Sequence, residues 1–101
     1  MSLDFTILEA VDGLRLSGHL DIYAVDLARS RFLEHLACSA SLDLDLTDVK
    51  GCDTAGVQLL WAARQSTLRA GKPFRAKLSP SARQCCTRLG VPADLMESAA
   101  A

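Results

Sequence analysis

Between Leu42 and Leu78 the hydrophobic pattern changes period twice, and this constrains the chain more than any other feature. Leu42, Leu44 and Leu46 alternate with Asp43 and Asp45, and Phe74, Ala76 and Leu78 alternate with Arg75 and Lys77. Both runs read as strands with one buried face. The stretch between them, Thr54 to Ala70, has no proline and is built mostly of good helix formers, with Gly71 placed as its C-terminal cap and Pro73 just beyond. Thr47 to Asp53 reads as a short connector with one glycine. Strand, helix and strand in that order make a β-α-β crossover, which implies parallel neighbours, a right-handed connection and a helix lying on the sheet.

The pattern extends in both directions. Leu3, Phe5 and Ile7 alternate with Asp4 and Thr6, Asp12-Gly13 is a hairpin turn signal, and Leu14, Leu16 and Gly18 form the returning strand. From about Ala24 to Ala37 the apolar residues Val25, Ala28, Phe32 and Leu36 step by three and four, as on an amphipathic helix. Ser79-Pro80 combines an N-cap serine with proline at the first helical position, Ala82, Cys86 and Leu89 give that helix its apolar stripe, and Gly90 stops it. Val91 to Ala101 is expected to hold one helical turn before a tail that frays from about residue 96. The predicted architecture is α/β, in the order β-β-α-β-α-β-α. It has a mixed four-stranded sheet with an N-terminal hairpin and covering helices, in one domain over residues 1–101.

Composition narrows the function. Half of the 101 residues are hydrophobic and 23% are charged, which excludes a disordered chain. The formal charge of −1 argues against a dedicated nucleic-acid binder. No apolar run approaches a membrane span, and Met1-Ser2-Leu3-Asp4 lacks the features of a signal peptide, so the expectation is a cytoplasmic protein without membrane insertion. The near-zero total hides a division. Residues 1–53 hold ten acids and four bases, and residues 54–93 hold seven bases and no acid. Solvated faces account for such a division, and so does a surface for a charged partner.

The cysteines, Cys38, Cys52, Cys85 and Cys86, form no C-x-x-C pair, and His19 and His35 do not stand at metal-ligand spacing from them. They read as small core hydrophobes, with no metal and no cofactor expected. The glycines make no phosphate-binding loop, and no base-orienting set accompanies Cys52 or a histidine, so the residues do not support an enzyme.

Cys52-Asp53-Thr54-Ala55-Gly56 opens the second long helix. Asp53 or Thr54 can cap its free N–H groups, and Gly56 permits close packing of the first turn. A helix N-terminus also favours an added phosphate, so a hydroxyl there is a candidate modification site. At 100° per residue Thr54, Gln58, Trp61 and Gln65 share one stripe, and Gly56, Leu59, Leu60 and Ala63 face the sheet. Val57 and Trp61 fall on the flank. Trp61 either packs against a neighbouring helix or stands exposed beside Thr54 as an interface anchor. Arg64 is carried on the same face.

These segments together resemble the STAS domain, the anti-sigma-factor antagonist family. Gly18-His19-Leu20-Asp21 resembles the family's G-x-L-D, and Leu44-Asp45-Leu46-Thr47 its D-L-S strand end. Asp53-Thr54-Ala55-Gly56-Val57 resembles its D-[ST]-x-G-L helix start. Ser79-Pro80-Ser81-Ala82 resembles S-P-x-V, and Leu89-Gly90-Val91 resembles L-G-L. The resemblance spans about residues 3–95. It implies a partner-switching regulator of transcription, not an enzyme, with Thr54 phosphorylated by a serine/threonine kinase that doubles as the anti-sigma factor. It makes Asp53 the acidic neighbour of the acceptor and Asp21 a family acid near that surface. Asp21, Asp53, Thr54, Gln58, Trp61 and Arg64 are thus the expected partner-binding residues, and a homodimer is compatible with all of this. Thr54-Ala55 departs from the Ser-Ser or Ser-Thr of the best-known antagonists. The run Asp53-Thr54-Ala55-Gly56-Val57-Gln58-Leu59-Leu60 also resembles STAS proteins of chemotaxis gene clusters and the STAS subunit of the bacterial lipid-transport ATPase, which implies as an alternative a constitutive subunit without a kinase.

Overall fold

The computed structural model describes residues 4–10 and 13–97. Eight elements follow in order: β1 (Thr6–Ala10), β2 (Gly13–Leu20), α1 (Val25–Cys38), β3 (Leu42–Cys52), α2 (Thr54–Arg69), β4 (Phe74–Leu78), α3 (Pro80–Arg88) and α4 (Ala93–Glu97). The four strands lie in sequence order, with β1 antiparallel to β2, and β2, β3 and β4 parallel. Leu3 and Asp12 of the expected hairpin lie outside the described residues. Ala10 pairs with Gly13 in the last rung between β1 and β2.

Alternation explains how the sheet is covered. Leu42, Leu44 and Leu46 of β3 are buried together with Leu14, Leu16, Phe74 and Ala76, and they share one core with Ala28 and Phe32 of α1 and Val57, Leu59 and Leu60 of α2. The opposite face carries Arg15, Asp43, Asp45, Arg75 and Lys77, where register sets Asp45 between Arg15 and Lys77. Charged residues on that face suit a sheet packed on one side only.

Two connections are locally determined. Gly71 takes φ +76° after α2, and Gly90 takes φ +78° after α3, the left-handed conformation that ends helices most cheaply at glycine. Ser79 caps α3, its Oγ accepting the Ala82 N–H at 3.1 Å, with Pro80 in the first turn.

Three expectations need correction. The segment 47–53 is largely strand, because β3 continues to Cys52. The pairing of β2 with β3 is irregular between Arg15 and Ser17 and again between Gly18 and His19, so Thr47 and Asp48 are exposed in succession and the period-two signal is broken. Val57 is core rather than flank. Cys38 is exposed at the end of α1, where the helix has run past its covered stretch, and only Cys85 and Cys86 are fully buried. Met96 is wholly buried and Glu97 accepts a hydrogen bond from Arg83, and the rest of the tail lies outside the described residues.

Candidate functional site

The site lies where β2 and β3 end side by side and hand the chain to α1 and α2. Leu20 pairs with Cys52 in the last rung of the sheet. One residue later Asp53 turns the chain into α2 with its backbone still extended, and its side chain makes two bonds. Oδ1 accepts the Gly56 N–H at 3.0 Å, capping α2. Oδ2 accepts the Ile22 N–H at 3.2 Å, across thirty-one residues of sequence. The Asp53 N–H donates to the Leu20 carbonyl at 3.3 Å. Asp53, rather than Thr54, is therefore the cap, and it also fastens the β2–α1 turn to the start of α2.

Asp21 shapes that turn from within. Its Oδ1 accepts the Tyr23 N–H at 3.0 Å, and its carbonyl accepts Ala24 N–H at 2.9 Å and Val25 N–H at 3.2 Å. Both carboxylates expected at the site are thus occupied in building it.

Thr54 occupies the first position of α2 and is exposed, and its hydroxyl has no hydrogen-bond partner among the described residues. Gly56, two residues on in the same turn, is where α2 comes close to the sheet. A Cβ there would lie 2.3 Å from the Leu20 carbonyl oxygen and 2.8 Å from Cys52 Sγ. Close backbone approach at Gly56 is what keeps Thr54 at the surface.

Along the outer stripe Gln58 is exposed and Trp61 is half-buried, packed against the core with one flank outside. The Arg64 guanidinium lies over the Trp61 ring, 4.9 Å from its centroid, and donates from Nη1 to Gln65 Oε1 at 2.9 Å. Trp61 therefore packs and presents a surface at once, which joins the two alternatives in one position. The structure brings Asp21, Asp53 and Thr54 together and sets Gln58, Trp61 and Arg64 farther along the same helix.

Sequence reasoning missed the apolar side chains of the turn. Ile22, Tyr23 and Leu27 are 62%, 58% and 50% exposed. The available signal was an Ile-Tyr pair directly after an acid, between a strand and a helix, fitting the period of neither.

Titration follows the local contacts. A hydrogen bond from the His19 ring holds the Asp4 carboxyl below its ordinary value, at 2.7 Å from Nδ1 to Oδ2. Burial, with Cys85 and Cys86 nearby, pushes the Cys52 thiol far up. Among the described residues no group of three or more His, Cys, Asp or Glu side chains is arranged to hold a metal ion, and no helix is long and apolar enough to cross a membrane.

The family model described as "Mlab, STAS domain" matches residues 3–91. Twelve solved chains are similar in structure. One is titled "Structure of the Anti-Sigma Factor Antagonist SpoIIAA in its Unphosphorylated Form", with TM-score 0.66 and 18% identity over 88% of this chain and 83% of that one. At that identity the likeness speaks for the fold. No curated protein matches the chain. The family match covers nearly the whole described length, and the order β-β-α-β-α-β-α with its mixed sheet agrees with the solved structure: the chain belongs to the STAS domain family.

Proposed function

We propose that this chain is an anti-sigma-factor antagonist-like switch in the cytoplasm, and that a serine/threonine kinase acting as anti-sigma factor phosphorylates it on Thr54. The observation that carries this is the Thr54 side chain, exposed in the first turn of α2 beside a cap already supplied by Asp53. A phosphate at that position adds roughly −1.5 to −2 charges at the helix end that tolerates them best. The fold accepts the modification, and the docked complex does not. A kinase brings its nucleotide phosphates to the hydroxyl, so a phosphate left on Thr54 faces the remaining diphosphate across a desolvated contact. In this reading Asp21 and Asp53 beside the acceptor, and Gln58, Trp61 and Arg64 farther along α2, are the partner-binding residues.

The test is incubation with the cognate kinase and ATP. The expected results are one added phosphate, mapped to Thr54, and loss of kinase binding in calorimetry. Thr54→Ala keeps the binding and cannot be switched. Stoichiometric phosphorylation elsewhere, or unchanged affinity of the phosphorylated protein, refutes the reading.

A second reading follows from the run Asp53-Thr54-Ala55-Gly56-Val57-Gln58-Leu59-Leu60 and its resemblance to other STAS proteins: a constitutive STAS subunit of a lipid-transport ATPase or of a chemotaxis-associated complex. Thr54 is then an interface residue with no kinase, and its phosphorylation is absent under every condition.

A further inference from the structure

Ile22, Tyr23 and Leu27 form an apolar strip that starts beside Thr54. Ile22 is tied to Asp53 through its own N–H, Tyr23 follows directly, and Leu27 lies about one helical turn beyond Tyr23. Each is at least half exposed; the other exposed large apolar side chains among the described residues are Leu8 on β1, Leu33 six residues beyond Leu27 on α1, and Leu89 after α3. Ile22 and Tyr23 on the fastened turn, with Leu27 in the first turn of α1, are neighbouring exposed apolar side chains rather than single scattered ones, the kind of surface that suits an interaction site.

The charge around the strip identifies what it meets. Asp21, Asp26 and Asp53 border it, and residues 20–28 and 53–63 contain no lysine or arginine. We propose that the Ile22–Tyr23–Leu27 strip is the principal anchor for a partner protein, and that it seats in an apolar pocket flanked by lysine or arginine side chains. The proposal deepens the reading of Thr54 as part of a partner surface and rests on it.

The turn is suited to this role because it is held from both ends. Asp21 closes it from the β2 side and Asp53 from the α2 side, so Tyr23 is presented without the ordering cost of a loose loop. Aromatic anchors of this kind carry much of the energy of an interface, and the acids at the rim act mainly on association rate. The strip is also distinct from the Thr54 hydroxyl. One supplies affinity, and the other is where affinity can be withdrawn.

The experiment places a photo-crosslinking p-benzoylphenylalanine at Tyr23, at Gln58 and, as a control, at Arg75 on the open sheet face, in full-length protein expressed in its native cells. The expected result is an adduct from position 23 to one protein, at a peptide lining an apolar pocket with lysine or arginine beside it, and none from position 75. With that protein purified, Ile22→Ser and Leu27→Ser should each weaken binding at least tenfold with unchanged melting temperature, and Asp26→Lys should slow association most at low salt. A lipid adduct, an adduct to a second copy of this chain, no adduct from position 23, or unchanged affinity of the serine variants overturns the proposal. A Thr54→Glu partner experiment separates it from the switch. If the position-23 adduct survives Thr54→Glu, the strip stands and the switch falls. If a position-58 adduct is lost with Thr54→Glu while position 23 never reacts, the switch stands and the strip falls.

Discussion

Replacing Gly56 with alanine tests the packing that presents Thr54, because helix propensity and structure predict opposite signs. In a helix interior, glycine to alanine is worth about 1 kcal/mol in favour of the variant. Here the new Cβ would stand 2.3 Å from the Leu20 carbonyl oxygen, against an ordinary carbon–oxygen contact of about 3.3 Å. The missing ångström has to come from backbone, since Leu20 sits at the end of a central strand and Cys52 Sγ, at 2.8 Å, blocks sideways movement. Overpacking of that kind costs about 1–3 kcal/mol. The same carbonyl also accepts the Asp53 N–H, and losing that bond adds roughly 1 kcal/mol. After the propensity gain, Gly56→Ala should be about 2 kcal/mol less stable, which for a domain of this size lowers the melting temperature by roughly 10 °C. Urea denaturation followed by Trp61 fluorescence measures it. Gly71→Ala is the companion variant, since open space surrounds that position and only its φ of +76° opposes a side chain. It should lose about 1 kcal/mol. A Gly56→Ala protein as stable as the parent, or more stable, would refute the close approach of α2 to β2 on which the placement of Thr54 depends.

Three further outcomes follow from the same contacts. Trp61→Ala should cost about 2 kcal/mol in urea denaturation, below the ~3–5 kcal/mol of a fully buried tryptophan, because one flank of the ring is outside. Asp4 and Asp45 both have lowered folded-state pKa values, Asp4 through its His19 hydrogen bond and Asp45 through the Thr47 side chain, so each contributes stability that is present above the ordinary carboxylate value and lost as pH falls through the lowered folded value. The urea midpoint should therefore fall below about pH 4, and Asp4→Asn should flatten that limb without changing its direction. In native thiol labelling Cys38 should react fast and Cys52 and Cys86 slowly, since burial raises both of the latter thiols, and unfolding should bring all of them to one rate.

Much of this fold is legible in the sequence because a one-sided sheet repeats its signal. Leu42, Leu44 and Leu46 report one buried face three times, and Phe74 and Ala76 repeat it on β4. The second half of β3 carries the same physics without the pattern. Two register irregularities against β2 place Thr47 and Asp48 outside in succession, and only Val49 returns to the core. Helix ends are legible for a different reason: Ser79-Pro80, Gly71 and Gly90 satisfy local backbone geometry with residue types rarely needed elsewhere.

The site divides along the same line. Asp53 as a cap could be read locally, because its Oδ1 reaches only three residues ahead. Its other oxygen reaches Ile22, and no spacing in the sequence encodes that bond. Yet the long-range half decides what the site presents. With the cap alone, α2 would begin correctly, and the β2–α1 turn, closed on itself by Asp21, would not be fastened to it. With both bonds, an exposed apolar pair and the exposed Thr54 side chain stand on one fastened surface. Periodicity describes what a chain hides, since burial repeats with the element. What stands together where elements end is set instead by single hydrogen bonds between distant residues, and here a carboxylate shared between two ends joins two unremarkable loop sequences into one continuous surface.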